Sequence, residues 1–119
     1  MSGRVRAISA SAWPKGAAFV FWLSAAMDAI IVEYDLPAHT VGFGVKGAVT
    51  WSPTPVRNYR DYKRTDFGAA ELSWLWGVNR GILTPPGLDE QWLVSLAHTK
   101  DDMDLLVAEF AELAEALRA

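Results

Sequence analysis

The chain has 119 residues, a formal net charge of -3 and no cysteine. That length suffices for one domain with a real core and leaves no room for a second, and the acidic balance provides no field for nucleic acid. Without thiols, disulfides, thiolate catalysis and sulfur-built zinc sites are all excluded. The two histidines, His39 and His98, stand in different segments without a ligand-spaced neighbour. Both are expected to be packed or capping residues, and no metal site is expected.

Residues 1–14 combine small side chains with Arg4 and Arg6, show no apolar period and read as a leader. From Ala17 to Val32 the only polar residues are Ser24 and Asp28, so the pattern predicts a helix that is apolar nearly all round and needs burial on several sides. Three readings compete: a helix that packs against a missing partner, in the same chain family or in a second subunit, a secretory leader with Ser24-Ala25-Ala26 as its small residues, and a membrane span. Asp28 interrupts a run already shorter than the about 20 residues that a span requires, which favours packing and a cytoplasmic chain.

Pro37 ends this helix, because proline disfavours helical geometry at the residue before it. His39 to Phe43 then alternates as a strand, Gly44 and Gly47 permit a bend or bulge, and Ala48 to Trp51 continues as extended chain until Ser52-Pro53-Thr54-Pro55 stops it. Arg57, Arg60, Lys63 and Arg64, interleaved with Tyr59 and Tyr62, form a local basic patch that reads as solvated loop rather than an anion site. Asp66 to Asn79 fits a helix with Phe67, Ala70, Trp74 and Val78 on one side and Leu72, Leu75 and Trp76 adding width. Its tryptophans are expected in the core, where they supply large buried area.

The stretch from Asn79 to Asp104 specifies the most. A helix end at Arg80-Gly81 leads into a short strand at Ile82-Leu83, Pro85-Pro86-Gly87 turns the chain, and Gln91 to Ala97 alternates as another strand. Thr99 followed by Asp102 approximates a capping box. In the helix that follows, Met103, Leu106, Val107, Phe110, Leu113, Ala114 and Leu117 recur at helical spacing, while Asp104, Glu109, Glu112 and Glu115 are expected on the wet side. Together these elements predict a small α+β domain, an antiparallel sheet covered by helices on one face.

The string Arg80-Gly81-Ile82-Leu83-Thr84-Pro85-Pro86-Gly87, then Glu90, Ser95-Leu96-Ala97-His98-Thr99 and Asp101-Asp102-Met103-Asp104, resembles the C-terminal small domain of class III pyridoxal-phosphate aminotransferases, within them the glutamate-1-semialdehyde aminomutase branch. Glu33 to His39 with Gly42-Phe43-Gly44 is similar to the family's junction between a long helix and its first strand, and Asn58-Tyr59-Arg60-Asp61 to its connection before the next helix. The resemblance covers residues 27–119; residues 1–26 are unmatched, because Ala17 to Ala26 is apolar where the family carries a charged, amphipathic helix.

The resemblance implies the small-domain fold and a role in substrate recognition. Glu90 stands where the aminomutase branch has a glutamate facing substrate; read by itself, it is equally a carboxylate on the rim of a strand. Its neighbours depart from the branch, with Gly87-Leu88-Asp89 and Gln91-Trp92 in place of the usual residues. In such enzymes the coenzyme lysine and phosphate amides come chiefly from the large domain, and none of Lys15, Lys46, Lys63 or Lys100 matches the family's coenzyme-lysine context. The expectation is therefore a fragment with no catalytic or coenzyme-binding residue of its own, inactive alone and partnered by the missing large domain or a second subunit. The alternative is a free-standing interaction module, a homodimer formed through the apolar first helix.

Overall fold

A computed structural model describes residues 17–85 and 91–119. The first helix, α1 (Ala17–Glu33), is continuous across position 27, where the family resemblance begins. Phe19, Val20, Leu23, Ala26, Met27, Ile30 and Ile31 recur along it at intervals of three and four and are all buried. Its other side is bare: Phe21 is 80% exposed and Val32 79% exposed. Burial on several sides, expected from the composition, is thus corrected to burial on one broad side. Among the described residues no helix is long and apolar enough to cross a membrane.

Past α1 the chain turns at Asp35, a non-glycine residue held at φ +50°. Arg118, at the far end of the chain, donates to the carbonyls of Tyr34 (2.7 Å) and Asp35, so the last helix is tied to the residues that follow the first. Strands β1 (His39–Phe43) and β2 (Lys46–Thr50) form an antiparallel hairpin, Phe43 opposite Lys46. The two-residue connection bends at Gly44, held at φ +61°, so of the expected bend or bulge it is the bend that forms.

The following connection carries a short helix, α2 (Tyr59–Tyr62), capped by Asn58, whose side chain accepts from the Asp61 amide at 2.9 Å. Asp66 caps α3 (Phe67–Val78) by accepting from Ala69 at 3.0 Å. Only part of the expected α3 face is inside: Ala70 and Gly77 are buried and Trp74 and Trp76 half-buried, whereas Leu72 and Leu75 are exposed. The helix closes with Gly81 at φ +83°, Gly81 donating to the Val78 carbonyl and Ile82 to that of Gly77, the paired bonds of a Schellman motif. This closure removes the strand expected at Ile82-Leu83. The Ile82 amide is used to finish the helix, and Leu83 is 86% exposed.

Strand β3 (Gln91–Leu93) adds antiparallel to β2, giving the sheet order β1-β2-β3. It is shorter than the run to Ala97 read from the sequence. Val94 still donates to the Val45 carbonyl, but Ser95 to His98 then forms a turn, with His98 Nδ1 accepting from the Ser95 amide at 2.8 Å. The last helix, α4 (Lys100–Arg118), opens with a complete capping box: Thr99 Oγ1 accepts from the Asp102 amide at 3.3 Å and Asp102 from the Thr99 amide at 2.8 Å. The amide of Thr99, with its hydroxyl, holds the Asp102 carboxyl below the usual carboxylate range.

Helices α1, α3 and α4 stack on one face of the sheet, as expected. Thr40 bonds Asp28 of α1, a side chain at Gly42 would meet Val20 and Ser24, and Val49 and Trp92 line the same interior as residues of α3 and α4. The tightest approach is at Gly47, where Trp92 crosses the strand so closely that a Cβ would stand 2.3 Å from its Nε1. Substituting Gly47→Ala should therefore displace the indole and cost about 1–3 kcal/mol of stability, read as a lower urea midpoint at unchanged slope; a wild-type midpoint would show that Trp92 yields freely.

Candidate functional site

Two places gather polar chemistry against apolar walls. The first lies between α3 and α4. Glu109 is only 8% exposed, contrary to its expected place on the wet side. Position 109 follows Leu106 by three residues and precedes Leu113 by four, so it borders the apolar stripe, and α3 covers that border. Gly77 faces it across an ordinary van der Waals distance: a Cβ there would lie 3.6 Å from Glu109 Oε1. The carboxyl also borders a small cavity of about 50 Å³, with Trp92 and Phe110 among its walls.

Burial pushes the Glu109 carboxyl up to about 7; Arg80 opposes that shift and Glu112 adds to it. Arg80 lies 3.5 Å above the Trp76 ring and pairs with Glu112 at 3.0 Å, so its charge is shared and Glu109 is only partly compensated. The arrangement is an acid that titrates near neutral pH, bordering a cavity that Ser73 and Thr84 also line.

The second place is the sheet face that the helices leave open. Here a hollow of about 450 Å³ is floored by Val41, Phe43, Lys46, Ala48, Thr50 and Gln91 and walled by Val56, Tyr62 and Thr65. The connection after β2 raises this wall, held by Asp66 donating its amide to the Trp51 carbonyl at 2.8 Å and by edge-on contact of Tyr62 with Phe67. Thr65 is 8% exposed and its hydroxyl has no hydrogen-bond partner. His39 places Nδ1 2.7 Å from the Ser52 carbonyl, which puts the proton on that nitrogen and leaves Nε2 buried and unpartnered.

The predicted site residue, Glu90, lies outside the described residues, as do the leader and most of the Pro85-Pro86-Gly87 turn. Its chain neighbour Gln91 opens β3 at the rim of the hollow. His98 acts as a cap and His39 as a packed ring, as expected. In the basic patch, Arg57 pairs with Asp61 at 3.9 Å and Lys63 lies 6.0 Å from the Tyr59 ring. Among the described residues no group of three acids or histidines could hold a metal.

Pyridoxal phosphate, the coenzyme of the resembled family, does not fit the described residues. Lys46 borders the open hollow, yet no carboxylate lines it to face a pyridine nitrogen, and Lys100 is paired with Asp104. Sequence reasoning missed both Glu109 and the unpartnered Thr65. The first was legible as an acid beside the apolar stripe; nothing local marked the second.

No protein-family profile matches the chain. In sequence it is 34% identical over 98 residues to a glutamate-1-semialdehyde 2,1-aminomutase of Thermomicrobium roseum, an alignment covering 82% of this chain and 23% of that protein. In fold it is similar to a β-phenylalanine aminotransferase from Variovorax paradoxus, with a TM-score of 0.76, 20% identity and coverage of 84% of this chain and 23% of that one. It is also similar to an omega-transaminase from Sphaerobacter thermophilus, with a TM-score of 0.68, 15% identity and coverage of 87% and 24%. The chain spans about a quarter of the length of these proteins. Over that quarter its likeness to the aminotransferase small domain holds in both sequence and fold.

The pH dependence of stability follows from Glu109. Its carboxyl titrates near 4.5 when unfolded and about 7 when folded, so stability is full below the lower value and falls as pH rises through the upper. The loss between about pH 5 and about pH 8 should be roughly 2 kcal/mol, less than the full conversion because water reaches the cavity rim. Glu109→Gln should flatten this slope in urea titrations; an equally steep slope in the variant would assign the effect to another group.

Proposed function

We propose that this chain is the small-domain portion of a class III pyridoxal-phosphate aminotransferase or aminomutase, working with a large-domain portion that anchors the coenzyme. The observation that carries the reading is the 34% identity to an aminomutase over 98 residues, joined to a fold likeness confined to about a quarter of each aminotransferase. In this reading the chain contributes substrate recognition through Glu90, whose place in the motif after Thr84-Pro85-Pro86-Gly87 supports that role. It forms no coenzyme Schiff base, is inactive alone and acts in the cytoplasm as part of a dimeric enzyme.

The test has two arms. Borohydride reduction of the isolated chain with pyridoxal phosphate should leave its intact mass unchanged, while co-production with the unmatched three-quarters of the Thermomicrobium roseum aminomutase should yield amino transfer. In that assembly Glu90→Gln should raise KM about ten-fold or more with kcat less affected, the pattern of lost substrate binding. A reduced lysine adduct on the isolated chain would overturn the reading; an unchanged KM would remove Glu90 from it.

The exposed side of α1, with Phe21 and Val32 uncovered, favours a second reading: a free-standing module that dimerises through this helix. Sedimentation should then give twice the chain mass, reverting to a monomer in Phe21→Lys. A monomeric wild type would dismiss the module.

A further inference from the structure

We infer that the cavity between α3 and α4 is a binding site for a small ammonium ion, ammonium itself or methylammonium, held by the Glu109 carboxylate against aromatic rings. The site lies wholly within the described residues and does not rest on the functional reading above.

Four aromatic residues, Trp51, Trp74, Trp92 and Phe110, line the space beside Glu109. Each ring is fixed by a contact of its own. The Trp74 indole donates to the Thr84 carbonyl at 3.1 Å, Trp92 lies across Gly47, and Trp51 packs on Phe110 with ring centroids 6.3 Å apart and planes tilted by 51°. Aromatic faces are electrostatically negative and attract cations, most strongly where water is excluded.

Glu109 is the one ionisable side chain lining the cavity, and it makes no hydrogen bond or ion pair with any described residue. The charges that act on it are Arg80, just past α3, and Glu112 of α4, while α1, β2 and β3 line the space with uncharged side chains. Arg80 is engaged elsewhere, by Glu112 at 3.0 Å, by the Trp76 carbonyl at 3.3 Å and by the Trp76 ring. A buried carboxylate without a cation of its own is costly, and a bound cation supplies the missing charge.

Size and donor set choose the cation. The cavity of about 50 Å³ exceeds the roughly 10–15 Å³ that a water-sized group needs, so ammonium or methylammonium fits and a tetramethylated ion does not. Calcium takes about six to eight oxygen ligands. Here the carboxylate is joined only by the hydroxyls of Ser73 and Thr84 as side-chain oxygens. An ammonium ion needs no such shell, because its N–H groups donate to the carboxylate and hydroxyls while the rings face its remaining surface.

The test is a titration of the isotope-labelled full chain with methylammonium chloride at constant ionic strength. The indole N–H resonances of Trp51, Trp74 and Trp92 should shift saturably, and that of Trp22, which does not line the cavity, should stay in place. Methylammonium remains protonated between pH 6 and pH 8, as lysine does. The ionised fraction of Glu109, which titrates at about 7, rises about ten-fold over that range, so the half-saturating concentration should fall about ten-fold. Tetramethylammonium and sodium should give no saturable shift, and Glu109→Gln, with wild-type circular dichroism, should lose the methylammonium response.

Linear shifts without saturation, or an equal response to tetramethylammonium, would overturn the site. Equal affinity at pH 6 and pH 8, or a response retained in Glu109→Gln, would remove Glu109 from it and overturn the inference as stated. Should the variant fail to fold, the selectivity and the pH ratio of the wild-type chain decide the matter alone.

Discussion

The burial of one side of α1 between the sheet and α4 is the contact on which the rest of the molecule depends. Phe19, Leu23, Met27 and Ile30 are inaccessible to solvent, and Leu113 of α4 meets the same core. A three-stranded sheet of such short strands has too little hydrophobic area to stand alone and needs a helix across one face. Helix α1 supplies that face. Arg118 then fastens the end of α4 to the carbonyls following α1, so the first described element and the last hold each other in register.

Sheet and helices are fitted by local devices whose effects are tertiary. Gly47 lets Trp92 lie across β2, and the Glu109 carboxyl of α4 is covered by α3 at Gly77. In the first case a missing side chain accommodates a large one; in the second a carboxyl is covered by a neighbouring helix. The cost appears at Glu109, where an acid is taken from water with only partial compensation from Arg80.

The open sheet face is the counterpart of this one-sided packing. Helices satisfy one surface of the hairpin and leave Val41, Phe43 and Leu93 unsatisfied on the other, beside a hydroxyl without a partner.

Much of the architecture was legible from residue pattern alone. The apolar run of α1, the hairpin punctuated by Gly44, the Thr99–Asp102 cap and the helical stripe of α4 are short-range signals, set by backbone geometry and side-chain period, and each forms as read. The family resemblance was legible for a similar reason, since its motif lies in one continuous stretch. Tertiary structure alone decided which sides stay bare. Whether Ile82 joins a sheet depends on a helix claiming its amide, whether Glu109 is wet depends on α3 lying across it, and whether Phe43 is core depends on what packs against the far face. Each of these is a competition between partners distant in sequence, and no local pattern records its outcome.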